Sequence, residues 1–126
     1  MAPEIISQVV KDYFAALRGM DAEAWVNTFA EDAVSNDPVG APPIVGHQGI
    51  REFFQSVTAA FKEFGLTEDD VFIAGNSAAV KWTGRGISKQ GRKVKFEGID
   101  VIEVNDSGKI QTVHAYWNPA EMMAQL

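Results

Sequence analysis

The first part of the chain has apolar residues at the spacing of amphipathic helices. From Glu4 to Leu17 they recur every three or four positions and form one stripe that includes Tyr13. Gly19 follows as a helix terminator in the left-handed conformation, and Asp21 is a suitable N-cap for a second, short helix. The buried face of this second helix is predicted to carry three apolar residues: Trp25, Val26 and Phe29.

A third helix is predicted after a segment that cannot be helical. Residues 34–46 contain three prolines and two glycines, which indicates a short extended piece followed by a loop. Apolar residues then return at helical spacing from about Gly49 to Phe64, and Gly65 is expected to end that helix.

Beyond Leu66 the apolar residues follow a period of two, which predicts strands. The predicted strands cover residues 71–74, 78–87, 93–104 and 110–117, and residues 119–126 form either a short helix or a frayed end. Helices followed by an antiparallel meander are typical of an α+β fold with helices on one face of a sheet.

Composition and charge narrow the functional classes. A chain of 126 residues is predicted to be one domain, residues 1–126. Its net charge of -6 would repel a phosphate backbone, so nucleic acid is not an expected partner. The absence of cysteine excludes disulfides and thiolate chemistry, and two histidines without clustered carboxylates argue against a metal site. With no apolar run of about 18 residues and no signal-peptide pattern, a cytoplasmic protein with no membrane contact is expected.

Asp100 is the first residue that breaks the apolar pattern. Alternation along residues 93–104 places it on the same face as Phe96 and Ile102, where it is the one ionisable group. Burial disfavours the charged form of a carboxyl, so its pKa is expected to rise. Asp100 would then be a protonated hydrogen-bond donor at neutral pH, or, alternatively, a buried acid satisfied by backbone amides.

Asp37 and Tyr13 are ambiguous when each is considered alone. Asp37 precedes a proline and is pushed towards an extended conformation, which is common in surface turns. The neighbouring Val39, Ile44 and Val45 make this loop unusually apolar, which favours a base beside an apolar pocket. Tyr13 is interpreted as a core residue whose hydroxyl needs a partner.

Taken together, these residues resemble a known enzyme family. Tyr13, the stretch Asp37–Gly40 and the triplet Ile99–Val101 resemble the bacterial Δ5-3-ketosteroid isomerases, in the nuclear-transport-factor-2-like, or SnoaL-like, superfamily. The similarity runs from about Val9 to Trp117. It implies a cone-shaped fold with three N-terminal helices on a highly curved, mainly antiparallel sheet, and a homodimer.

The resemblance also implies a role for each site residue. Asp37 corresponds to the general base, and Tyr13 and Asp100 to hydrogen-bond donors to an oxyanion, in a reaction that needs no cofactor and no metal. Four further residues are expected to line a pocket for an apolar ketone such as a steroid: Trp117, Val113, Phe53 and Trp82. The implied activity is transfer of a double bond into conjugation through a dienolate.

Three positions depart from the isomerase pattern, and other functions stay open. Phe54 and Phe29 stand where isomerases have supporting tyrosines, and Asn36 replaces an acid that often precedes the base. The alternatives are a SnoaL-type polyketide cyclase or dehydratase, and a non-catalytic protein that binds an apolar ligand. An epoxide hydrolase would need an arginine between two acids, whereas Arg51 is predicted on the outer side of its helix.

Overall fold

The computed structural model describes residues 2–126, and it has helices before a sheet, as predicted for an α+β protein. The helices are α1 (Pro3–Arg18), α2 (Ala22–Val26), α3 (Gly46–Thr58) and α4 (Pro119–Met123). The strands are β1 (Phe29–Asn36), β2 (Ile44–Val45), β3 (Phe61–Ala74), β4 (Ser77–Ser88), β5 (Lys93–Val104) and β6 (Ile110–Tyr116). Within the described residues, no helix is long and apolar enough to cross a membrane.

The six strands form one mixed sheet in the order β2-β1-β6-β5-β4-β3. All neighbouring strands are antiparallel except β1 and β6, which run parallel. The mainly antiparallel sheet was predicted, whereas the parallel pair was not. The parallel pair brings the end of β1, and with it Asp37, beside the end of β6.

The boundary between α3 and β3 was predicted wrongly. The third helix ends at Thr58, not near Phe64, and β3 starts at Phe61, far earlier than the predicted residue 71. Phe61 and Phe64 are both buried although they lie three residues apart, which imitates helical spacing. The cause is a register shift between Phe61 and Glu63, which moves the inward face of β3 by one residue.

The region around the second helix was predicted partly correctly. The Asp21 carboxylate accepts a hydrogen bond from the Ala24 amide at 3.0 Å, which confirms the N-cap. Phe29 begins strand β1 and is not part of the helix as predicted, although it is buried. Gly19 ends α1 in a right-handed conformation (φ −80°), and the left-handed residue is Met20 (φ 50°).

The predicted alternation along β5 is confirmed. Five side chains on one face are buried in the core: Val94, Phe96, Asp100, Ile102 and Val104. Lys93, Lys95, Glu97 and Glu103 on the other face are exposed. On β6, His114 and Tyr116 are exposed as predicted, while Val113 and Ala115 are buried.

Candidate active site

A narrow apolar cavity lies between the helices and the inner face of the sheet. Six of the seven predicted site residues line this cavity: Tyr13, Asp37, Phe53, Trp82, Asp100 and Trp117. The other lining residues are mostly apolar and include Leu17, Trp25, Phe54, Phe64 and Phe96. The ionisable groups of Tyr13, Asp37 and Asp100 therefore have mostly apolar surroundings. The fold therefore brings together three polar residues that are far apart in the sequence.

Val113 is the predicted site residue that does not line the cavity. It is fully buried on β6, where it pairs with Ser35 of β1 and Ile102 of β5. Ile102 lies two residues beyond Asp100 along β5 and does not line the cavity either, so the cavity ends before this part of the sheet.

Asp37 lies directly after β1, and its peptide bond to Pro38 is cis, a point that the sequence left open. The Val39 amide donates to the Ala115 carbonyl at 2.8 Å and holds this loop against β6. The Trp117 indole N–H donates to Asp37 Oδ1 at 2.6 Å. Although Asp37 is only half-buried, crowding around the carboxylate raises its pKa to about 6, against a smaller lowering by the Trp117 hydrogen bond.

Asp100 is buried on β5, and the Trp82 indole N–H donates to its Oδ1 at 2.9 Å. Burial and the nearby charge of Asp37 raise the pKa of Asp100 to about 8, while the bonds to Trp82 and Tyr13 lower it. The direction agrees with the sequence prediction. At neutral pH Asp100 is mainly a neutral acid that can donate a hydrogen bond, whereas Asp37 is mainly ionised.

Tyr13 projects from α1 into the same cavity, and it is also buried. Burial, reinforced by the charges of Asp100 and Asp37, raises the pKa of its hydroxyl well above the ordinary value. The hydroxyl therefore stays protonated. Two neutral donors and one carboxylate thus face a single apolar cavity.

Comparison with known proteins identifies the family of the chain. Residues 10–113 match the SnoaL-like domain. The chain belongs to this family. The match extends over most of the SnoaL-like chain, from α1 into β6.

Two relatives of this SnoaL-like protein are enzymes. A steroid Delta-isomerase from Nocardioides simplex is 29% identical over 124 residues, which are 98% of this chain and 97% of that protein. The solved structure of SalBIII has a TM-score of 0.83 and 26% identity, with 94% of each chain covered. SalBIII is described as an epoxide hydrolase/cyclase-like enzyme with a role in pyran ring formation in the polyether salinomycin.

The sequence did not reveal that two tryptophans of the SnoaL-like chain hold the two carboxyl groups. Trp82 and Trp117 were predicted as pocket walls, but each also donates its indole N–H to an aspartate. Gly98 makes room for both tryptophan side chains, because a Cβ atom there would lie 2.5 Å from Trp82 Cζ2 and 2.9 Å from Trp117 Cβ. The one signal in the sequence for this close packing of tryptophans was a glycine that interrupts the buried face of β5.

Other polar residues of the SnoaL-like chain do not join the site. His47 Nε2 lies 2.8 Å from the Phe29 carbonyl oxygen, and His114 is exposed. Arg51 forms a salt bridge with Glu23 and does not line the cavity. Among residues 2–126, no cluster of histidine and acidic side chains could hold a metal ion.

Replacement of Asp100 by asparagine is expected to stabilise the SnoaL-like fold at alkaline pH. A carboxyl with a raised folded-state pKa costs stability as pH rises from its unfolded pKa, about 4, to its folded pKa, about 8. The asparagine variant lacks this loss, so its melting temperature should exceed that of the wild type by on the order of 15 °C at pH 9.

Thermal unfolding at several pH values would test this stability prediction. The difference between variant and wild type should grow from pH 4 to pH 9. The exposed turn residue Asp106 supplies the matched control, since Asp106→Asn should leave the melting temperature close to that of the wild type. A pH-independent difference for Asp100→Asn would mean that Asp100 ionises as easily in the folded protein as in the unfolded chain.

Proposed function

We propose that this protein is an isomerase that moves the double bond of a β,γ-unsaturated ketone into conjugation, with a 3-oxo-Δ5-steroid or a similar ketone as substrate. One observation carries the proposal. A single apolar cavity contains a carboxylate that is ionised at neutral pH, Asp37, and two donors that are protonated there, Tyr13 and Asp100. Similarity to a steroid Delta-isomerase supports the same class of reaction.

The reaction moves one proton and requires no change in oxidation state. The ketone oxygen accepts hydrogen bonds from the Tyr13 hydroxyl and the Asp100 carboxyl. Asp37 removes a proton from the carbon between the carbonyl and the double bond, and the electron pair moves into a dienolate whose negative charge is on the oxygen. Asp37 then returns the proton to the γ-carbon, which leaves the conjugated enone and restores the carboxylate.

The two tryptophans determine which carboxyl oxygens react. Trp117 binds Oδ1 of Asp37, so Oδ2 is free to take the substrate proton. Trp82 binds Oδ1 of Asp100, so the acidic proton of Asp100 belongs on Oδ2, where it can be donated to the substrate oxygen. These bonds keep both carboxyl groups in a fixed orientation before the substrate arrives.

The cavity must widen to admit a ligand with several rings. Its volume is about 40 Å³, whereas pockets for drug-sized ligands usually have about 300 Å³ or more. Phe53 and Val57 are only half-buried, so these walls can move with less loss of packing than the buried ones. A substrate smaller than a steroid is accommodated with less movement.

The test is to mix the purified protein with a Δ5-3-ketosteroid, or a smaller cyclic β,γ-enone, and follow the absorbance of the conjugated enone. The kcat/KM of the reaction is expected to show a bell-shaped pH profile. Activity rises through about pH 6 as Asp37 ionises and falls through about pH 8 as Asp100 loses its proton. No enone above the uncatalysed rate at high enzyme concentration would refute the proposed function.

A cyclase that opens an epoxide is the second candidate, because of the similarity to SalBIII. Asp100 would protonate the epoxide oxygen, and Asp37 would take the proton of an attacking hydroxyl. The isomerase is favoured because Tyr13 and Asp100 supply two donors for one developing oxyanion. Incubation with a hydroxy-epoxide separates the two candidates, since the isomerase gives no cyclic ether.

A further inference from the structure

Trp25 is the one tryptophan whose indole N–H is not used in the site as described above. The chain has three tryptophans, and the other two donate to Asp37 and Asp100. Trp25 Nε1 is buried without a hydrogen-bond partner, and it is the one buried side-chain nitrogen or oxygen in residues 2–126 of which this holds. Because an unpaired buried donor is unfavourable, its position invites a functional explanation.

The ring of Trp25 lines the cavity and is held in place by other aromatic rings. Its centroid lies 5.5 Å from that of Tyr13, 5.0 Å from Phe29 and 5.4 Å from Phe54. Neither phenylalanine offers an acceptor atom. Tyr13 therefore brings the one hydroxyl among these three neighbouring rings.

The Trp25 ring is a neighbour of the Tyr13 ring, with centroids 5.5 Å apart, but the indole N–H makes no hydrogen bond of ordinary geometry. The indole lowers the pKa of the hydroxyl, as a donor facing its oxygen does, against the larger opposing effects of burial and of the two carboxylates. Tyr13 also packs against Phe14 at a centroid distance of 5.0 Å. The indole N–H is thus well situated to stabilise negative charge on the tyrosine oxygen.

We propose that Trp25 is a positioning residue for Tyr13, and that its N–H donates to the tyrosine oxygen once Tyr13 donates to an anionic ligand oxygen. The hydroxyl oxygen becomes more negative as its proton is shared with the anion, and hydrogen bonds in a chain strengthen one another. Trp25 would thus be the second donor in a chain of hydrogen bonds that runs from its N–H through the Tyr13 hydroxyl to the ligand oxygen, and it would not touch the ligand. This inference rests on the proposed function, in which Tyr13 binds a dienolate oxygen.

The indole N–H signals in a ¹H–¹⁵N NMR spectrum test the inference directly, because three tryptophans give three signals. Disappearance of one signal in Trp25→Phe assigns it. The probe is 4-nitrophenolate, a planar anion whose charge is shared between oxygen and ring, as in a dienolate. On saturation, the Trp25 signal of the wild type is expected to move downfield, and in Tyr13→Phe it is expected to stay in place.

Two results would overturn the assignment. The first is a Trp25 signal that does not move although the other indole signals show that the probe has bound. The second is a downfield shift that persists in Tyr13→Phe, which would mean that the N–H contacts the probe itself. A packing control is available in Phe14→Leu, which removes a ring contact with Tyr13 but no hydrogen bond and should preserve the shift.

Steady-state kinetics give an independent test of the role of Trp25. Trp25→Phe keeps an aromatic ring but removes the donor, so kcat for enone formation is expected to fall about tenfold with little change in KM. An unchanged kcat, or a loss confined to KM, would contradict the positioning role. The NMR experiment needs no turnover, so a wild type that shows the shift but forms no enone would refute the proposed function and leave this inference standing.

Discussion

Asp37→Asn is expected to lower kcat for enone formation by about 100- to 10,000-fold, the usual contribution of a positioned general base. The asparagine amide matches the carboxylate in shape but cannot accept the substrate proton. The Trp117 N–H can still donate to the amide oxygen, so the loop and cavity should keep their structure. Stopped assays with concentrated enzyme would measure the residual rate.

The matched control for this change is Asp106→Asn, the same substitution at an exposed turn residue. It should leave kcat and KM unchanged. If Asp37→Asn retained wild-type kcat, another group would have to remove the proton, and the role proposed for Asp37 would be lost. The ascending limb of the pH profile, near pH 6, should also disappear in the Asp37 variant if Asp37 is the group that produces it.

Tyr13→Phe is expected to lower kcat about 100- to 1,000-fold, as does the loss of one oxyanion donor in other enzymes. The ring and its packing against Phe14, Trp25 and Phe29 remain, so KM should change little. The loss falls on kcat because the hydrogen bond strengthens as charge develops on the substrate oxygen. Initial rates over a range of substrate concentrations would separate the two constants.

The second tyrosine of the chain provides the control. Tyr116 is exposed on the outer face of the sheet, and Tyr116→Phe should behave as the wild type. If Tyr13→Phe lost activity through a rise in KM alone, Tyr13 would be a binding residue with no special role in the transition state. Equal losses in both variants would indicate a general effect on folding.

Much of the site could be predicted because some residues conflict with their local pattern. Asp100 interrupts the buried alternation of β5, and its raised pKa follows from that position. Tyr13 lies on the apolar stripe of α1, and Asp37 follows a strand in an unusually apolar loop. Local periodicity is sufficient here, since it determines which face of an element is buried.

Other features were out of reach because they depend on contacts between distant segments. The early start of β3 was hidden by the register shift near Phe61, since a shift of one residue disguises a strand as a helix. The position of Val113 away from the cavity depends on its pairing with Ile102, which lies beyond the cavity on β5. No local pattern encodes either of them.

The sequence by itself determined the α+β class, the inward direction of Tyr13 and Asp100, and the presence of an acid in the loop after β1. Tertiary structure decided that these groups meet in one cavity, that Trp82 and Trp117 hold the carboxyl groups, and that the Trp25 N–H is unpaired. The physical reason is the separation along the chain over which each signal acts. Periodicity reflects the burial of one face of an element, whereas a hydrogen bond requires two particular atoms about 3 Å apart, and chain topology alone brings such atoms together.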